Sequence, residues 1–264
     1  MKSAARVLSE LAAGQAIMDA VLVLVAHPDD ETIGLGARLN RFDDLVLITA
    51  TNGAPLDMGD AERAGFGSAD AYAKARKAEQ AAALVALAAQ PRLACWEIVD
   101  QACVEHIADM TQHLVTALRD RDVVITHPYE GGHPDHDACA MAVQHACEAL
   151  GPEAPLRLEF AAYHQVDGAM VSQRFWSDPD APQVEANLSN DDLTRKAAAF
   201  AAYASQADVM GHFFIDREAY RLAPIYDFSQ PPPPGACLYD GFGFAITSDL
   251  WRATAARADA AARA

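Results

Sequence analysis

Two short stretches hold the residue types that chemistry needs. Residues 26–31 read AHPDDE and residues 133–136 read HPDH. The first ends an apolar run, VLVLVA at 21–26, the second follows VVIT at 123–126 across the loop 127–132, and each sets histidine beside carboxylates. Buried carboxylates repel one another and are costly to desolvate, so a fold that gathers them needs a cation. His27 and Asp30 are three residues apart across the start of a helix, so both side chains can face one point. His136 adds a second imidazole from the other stretch. Three protein ligands with a position left for water is the arrangement of catalytic zinc, whereas structural sites close with four ligands.

The remaining residues then take roles around such an ion. Asp29 can accept a proton from water, while His133 can donate a hydrogen bond to a developing oxyanion or a proton to a leaving group. Asp135 can fix the tautomer of a neighbouring imidazole. Zinc lowers the pKa of its water from about 15.7 to about 7, which makes hydroxide available to a poor electrophile such as an amide. A His-Pro-Asp at a strand end is also a plain turn and helix cap, because proline favours the first helical position. Two copies at two strand ends, with complementary ligands, favour the metal. Two histidines and a carboxylate also hold iron(II) in oxygenases, so zinc is expected and iron(II) is the alternative. A carboxylate base and a βα alternation favour hydrolysis over oxygen chemistry. A non-catalytic metal- or sugar-binding protein is the other rival, and Asp29 argues against it because binding alone does not need that residue.

The elements that carry these stretches alternate. AVLVLVA, DLVLITA and DVVIT read as strands buried on both faces. Between them, DETIGLGARLNRF, SADAYAKARKAEQAAALVALAAQ and CVEHIADMTQHLVTALRDR read as helices, the last with Ile107, Met110, Leu114, Val115 and Leu118 on one face. DHDACAMAVQHACEAL is a further helix and LRLEFAAYH a further strand. This predicts an α/β, Rossmann-like three-layer fold with a mainly parallel sheet and helices on both faces. Ligands bind beyond the carboxyl ends of such strands, where both His-Pro-Asp stretches fall. Residues 1–264 are expected as one domain, with 1–165 the core and 166–264 a less regular extension shaping the pocket. There, residues 174–192 read as loop, 191–214 as helix, DFSQPPPPG as an extended connector and the Ala-rich tail as helix. A short amphipathic helix is expected at the N-terminus. Arg217, Glu218 and Arg221 are expected on a solvated helix face.

The formal net charge is −17 and the pI about 4.7, which repels phosphate backbones and anionic lipid and argues against nucleic-acid and membrane partners. No apolar stretch approaches the ~20 residues that span a bilayer, and the N-terminus has no signal-like apolar region. The five cysteines include no C-x-x-C pair and are expected reduced, which suits a cytoplasmic protein. Homo-oligomerisation stays open.

AHPDDE with HPDH, on this alternation, resembles the PIG-L/LmbE-like family of zinc-dependent N-acetyl-sugar deacetylases, over about the first 165 residues. The resemblance implies zinc on His27, Asp30 and His136, Asp29 as general base, and His133 as the electrophilic or acid group supported by Asp135. The implied activity is removal of an N-acyl group, most often acetyl, from a small amino sugar or glycoconjugate. ITATNG (48–53) matches the family's Thr-x-Gly loop, although Ala54 stands where an acidic residue is frequent. RKAE (76–79) resembles its Arg-x-x-Glu helix and makes Arg76 a substrate contact; YASQ (203–206) resembles a Ser-Gln motif without an assigned role. Tyr129 is a second substrate contact by the same resemblance, with packing on the sheet edge as its alternative. His127 is expected behind the ligands.

Overall fold

The structure is a computed structural model and describes residues 3–262. Ser3 caps the first helix, α1 (Ala4–Ala13), through its hydroxyl, and Gly14 ends it in the left-handed region. Strand β1 (Ile17–Val25) is buried at every residue from Val21 onward. Its alternate side chains serve two cores, Val21, Val23 and Val25 packing with Val7 and Leu11 of α1, and Leu22 and Leu24 with the opposite layer. Burial on both sides is what makes the run continuously apolar. Then come α2 (Asp30–Leu35), β2 (Phe42–Thr51), α3 (Gly59–Arg63), α4 (Ala69–Ala86), β3 (Arg92–Ile98) and α5 (Ile107–Ala117). After β4 (Val123–Thr126), α6 (Pro134–Leu150) and β5 (Leu156–Phe160) the chain forms a separate hairpin of β6 (Tyr163–Val166) and β7 (Ala169–Ser172). Two-residue β8 (Val184–Glu185), α7 (Asn190–Ala202), α8 (Ala207–Met210), β9 (Ala219–Leu222) and α9 (Ser248–Ala262) complete it.

The seven-stranded sheet has the order β3-β2-β1-β4-β5-β9-β8. Neighbours from β3 to β5 are parallel, and β9 is antiparallel to both its partners. Residues of α1, α4 and α7 pack on one face, and residues of α5, α6 and α9 on the other. This is the expected α/β class. The strand order reverses beside β1: β2 lies on one side and β4 on the other, so the crevice beyond their carboxyl ends is the switch point where such sheets bind ligands.

Several local expectations are corrected. The segment after His27 is not one long helix; α2 stops at Leu35, among Gly34 and Gly36, and a 3-10 turn follows at Leu39–Arg41. β3 was not expected, because an edge strand open to water carries no continuous apolar run. LRLEFAAYH divides into β5 and β6 where the chain leaves the sheet. The helix expected over 191–214 breaks at Tyr203, whose ψ of 64° leaves the helical region. Arg221 lies in β9, with Glu218 just ahead of it, and both are buried in ion pairs rather than on a solvated helix face. The outermost two residues at each end of the expected terminal helices lie outside the described residues. Among the described residues no helix is long and apolar enough to cross a membrane.

The second half of the chain is tied to α2 by one buried cation. Lys196 of α7 donates to the carbonyl of Ile33 at 2.9 Å and to Glu218 at 2.6 Å, and Glu218 also accepts from the Ala37 N–H at 2.8 Å. Neither side chain of the pair is exposed. Lys196→Met should therefore lower the unfolding free energy by about 3–5 kcal/mol, since it strands a buried carboxylate. Lys77→Met, at the Lys77–Glu97 pair where both side chains are more than half exposed, should cost under about 1 kcal/mol. Urea unfolding of the two variants checks the contrast.

Candidate metal centre

His27 leaves the end of β1, and the backbone turns sharply at Asp29, whose φ of 152° is sparsely populated for any residue but glycine. The turn sends consecutive carboxylates in different directions. Asp30 folds back, accepting from the His27 N–H at 2.7 Å, with Oδ2 3.2 Å from His27 Nδ1 and Oδ1 3.2 Å from His136 Nε2. Asp29 meets Arg76, which donates to its Oδ2 at 2.9 Å. Glu31 points inward and accepts from Tyr203, Thr32 and Gln80 at 2.6, 3.1 and 3.1 Å. Each carboxylate of the AHPDDE stretch thus has a different partner set.

His136 arrives from the first turn of α6, which His133 caps: its Nδ1 accepts from the Asp135 N–H at 3.2 Å, with Pro134 at the first helical position. His136 is 2% exposed, yet neither ring nitrogen has a hydrogen-bond partner among the described residues. Orphaned buried polar atoms cost about 1–3 kcal/mol each. A divalent cation between His27, Asp30 and His136, whose donor atoms all lie within 4.8 Å of one another, would satisfy them, and two imidazoles with a carboxylate suit zinc or iron. His127 stacks on His136 with centroids 3.8 Å apart. Its Nε2 accepts from the Ala26 N–H at 3.0 Å, so that lone pair is spent and the ring is a wall behind the ligand. Burial pushes its pKa down to about 3.

Burial alone would raise Asp30, but the imidazole of His136 outweighs it and holds the carboxyl well below its ordinary range. For Asp29 burial wins: against the pull of Arg76, it lifts the carboxyl to about 7. A buried carboxyl near neutrality, beside but not within the candidate ligand set, is suited to proton transfer.

The structure brings His27, Asp29, Asp30, His133, Asp135 and His136 together, with Arg76 joined to Asp29 and Tyr129 on the far side of the α6 start. Arg76 is buried and committed inward, donating to the carbonyls of Gly53 and Pro28 at 3.0 and 3.1 Å besides Asp29. Gly53, at φ 67°, is the glycine of the ITATNG stretch, and a Cβ there would come within 3.1 Å of the Arg76 guanidinium carbon. Tyr129 is turned away as well. Its hydroxyl donates to the Gln230 carbonyl at 2.9 Å and its ring packs with Tyr226, Phe228 and Trp251. A buried tyrosine placed so satisfies both its apolar body and its polar tip. Asp135 serves His27, at 3.3 Å from Nε2, more closely than His133, at 4.0 Å from Nδ1.

Sequence reading missed three contributors. Asp100, after β3, lies 3.1 Å from His27 Nε2 and 3.8 Å from His133 Nε2; the signal was a carboxylate closing a strand not recognised as one. Tyr163 of β6 lies edge-on to His136 with centroids 5.2 Å apart, and Phe244 edge-on to His133 at 5.4 Å. A Cβ on Gly132 would meet the Tyr163 carbonyl at 2.1 Å, so only glycine lets β6 close over the loop. YASQ gains a place too: Ser205 donates to Glu79 at 2.7 Å, so the RKAE helix presents Arg76 to Asp29 and Glu79 to the YASQ turn.

Residues 22–147 match the sequence model of the family described as PIG-L: GlcNAc-PI de-N-acetylase. Just under half of the chain is thus similar to that family. Its relatives include a 1D-myo-inositol 2-acetamido-2-deoxy-alpha-D-glucopyranoside deacetylase 2 from Catenulispora acidiphila, 25% identical over 254 residues that cover 74% of this chain and 82% of the relative. A probable N-acetyl-alpha-D-glucosaminyl L-malate deacetylase 2 from Bacillus subtilis is 31% identical over 134 residues, 47% of this chain and 58% of the relative. Among solved structures, the A40926 pseudoaglycone deacetylase Dbv21 superposes with a TM-score of 0.58 at 20% identity, covering 78% of this chain and 97% of that one. GalB, the 4-carboxy-2-hydroxymuconate hydratase of Pseudomonas putida KT2440, superposes at 0.53 and 16% identity, covering 80% and 98%. A deacetylase and a hydratase therefore share this fold, and the side chains must decide between them.

Zinc added to metal-free protein should raise the thermal midpoint by several degrees, because an ion bound only to the native state stabilises it. His136→Ala should abolish the rise, since it removes one of the three ligands; differential scanning calorimetry with and without zinc reads it.

Proposed function

We propose that the protein is a divalent-metal-dependent deacetylase that hydrolyses the acetamido group of a small N-acetylated amino-sugar conjugate. The observation that carries this is Asp29: a buried carboxyl adjacent to the ligand triad but held out of it by Arg76. Metal or sugar binding alone has no use for that arrangement, whereas amide hydrolysis needs a group that takes a proton from water and returns one to nitrogen. The ion is proposed as zinc, with iron(II) the alternative, on His27, Asp30 and His136. When bound it would supply Lewis acidity toward the carbonyl and lower the pKa of water into the neutral range.

The chain's own residues supply the rest. His133 accepts the Asp135 N–H at Nδ1, so its neutral ring carries the proton on Nε2 and acts as a hydrogen-bond donor to the oxygen that becomes negative. That leaves Asp29 as the proton carrier. It removes a proton as water's oxygen joins the acetyl carbon, and delivers it to nitrogen as the C–N bond breaks, releasing acetate and a free amine. Tyr163 and Phe244 flank the two imidazoles and would exclude bulk water around a bound acetamido group. The named activities of the PIG-L relatives support N-acetylglucosaminides of a polyol or hydroxy acid as first candidates.

Acetate release from N-acetylglucosaminyl inositol and N-acetylglucosaminyl malate tests the reading. Wild type should release acetate from one of them, and Asp29→Asn should lower turnover by about 10²–10⁴-fold with its metal content unchanged. Water addition to an unsaturated dicarboxylate, without acetate release from any N-acetyl sugar, would overturn it in favour of the hydratase.

A further inference from the structure

We infer that Asp100 is a positioning residue that orients the metal ligand His27 by accepting a hydrogen bond from its Nε2–H, so that Nδ1 faces Asp30 and His136. This rests on the reading of His27, Asp30 and His136 as the ligand set.

Both ring nitrogens of His27 face carboxylates, Nδ1 toward Asp30 at 3.2 Å and Nε2 toward Asp100 at 3.1 Å and Asp135 at 3.3 Å. The two sides differ in what else is there. Nδ1 shares Asp30 with His136, whose Nε2 lies 3.2 Å from Oδ1 without making a hydrogen bond, and a cation on that side would serve all three. The Nε2 side is already satisfied: Asp135 accepts the Gln101 N–H at 2.6 Å and the Cys103 N–H at 3.0 Å. A neutral imidazole has one proton and one lone pair. With the lone pair directed at the ion, the proton must sit on Nε2, and Asp100 is the acceptor nearest to it. Ligating histidines commonly donate their other N–H to a carboxylate, which fixes the ring and raises its basicity. Asp100 also lies 3.8 Å from His133 Nε2, so one carboxylate borders the ligand and the donor together. Its side chain is 10% exposed, and dry surroundings strengthen the contact.

His27, Asp100, His133 and Asp135 also fall within 4.8 Å of one another, and an ion among them would make Asp100 a ligand. Such an ion would draw on His27 and contend with the triad for its ring, and it would displace the backbone contacts of Asp135. The geometry favours the positioning role, and metal binding separates the two.

The test is zinc affinity by competition with a chromophoric chelator, with elemental analysis for stoichiometry, on wild type, Asp100→Ala and Asp100→Asn. Asp100→Ala should weaken zinc binding by about 10–100-fold, the usual effect of removing such a partner, with one ion per chain in both. Asp100→Asn, whose amide oxygen still accepts from Nε2–H, should recover most of the affinity, and all three metal-free proteins should unfold at similar temperatures. An affinity within about two-fold of wild type in Asp100→Ala, or Asp100→Asn as weak as Asp100→Ala, would overturn the inference. Two ions in wild type and one in Asp100→Ala would overturn it too, in favour of a ligand. Wild type that binds no zinc would remove the ligand set itself, whereas an inactive protein with the predicted affinities would leave this inference standing.

Discussion

Gathering negative charge where water is scarce is the constraint on which this molecule turns. Asp29, Asp30, Glu31, Asp100 and Asp135 converge where β1 and β3 end and α6 begins, and each is compensated by different means. Glu31 has neutral donors, Asp29 a guanidinium, Asp135 backbone amides and Asp100 an imidazole. Asp30 has imidazoles on both oxygens, one of them without a hydrogen bond, and there the three donor atoms that could share a cation lie within 4.8 Å of one another. Because isolated buried charge is so costly, the different compensations set apart within one acidic cluster the proposed ligand Asp30, the proposed proton carrier Asp29 and their supports.

Those compensations reach far along the chain. Tyr203, 172 residues beyond Glu31, supplies the hydroxyl that holds it, and Lys196 holds the end of α2. Trp251 of α9 donates to the Pro134 carbonyl at 2.9 Å and steadies the start of α6. The PIG-L match ends at residue 147, so the groups that hold the centre still include residues well outside the recognisable segment.

The catalytic edge was legible because its elements are strongly patterned. β1 and β4 are buried on both faces and therefore continuously apolar, so their ends, and the charged residues there, stand out. Elements stabilised by partners remote in sequence were not legible. β9 reads Ala-Tyr-Arg-Leu, and only the burial of Arg221 against Glu130 and Glu159 reveals that its arginine points inward. Asp100 was hidden by an exposed edge strand. For Arg76 and Tyr129 the sequence suggested substrate contacts but not the partners their side chains meet, because residue type does not say which way a side chain turns. Arg76 was decided by Asp29 and two carbonyls, Tyr129 by an aromatic cluster from beyond residue 225.

The central claim is that one ion belongs between His27, Asp30 and His136. An anomalous difference map from a crystal of the zinc-loaded protein, collected at the zinc edge, addresses it without reference to any substrate. The account predicts one strong peak about 2.0–2.2 Å from His27 Nδ1, an Asp30 oxygen and a His136 nitrogen, with Asp29 and Asp100 outside bonding distance. A peak ligated by Asp100 and His133 instead, or no peak at this sheet edge, would contradict it.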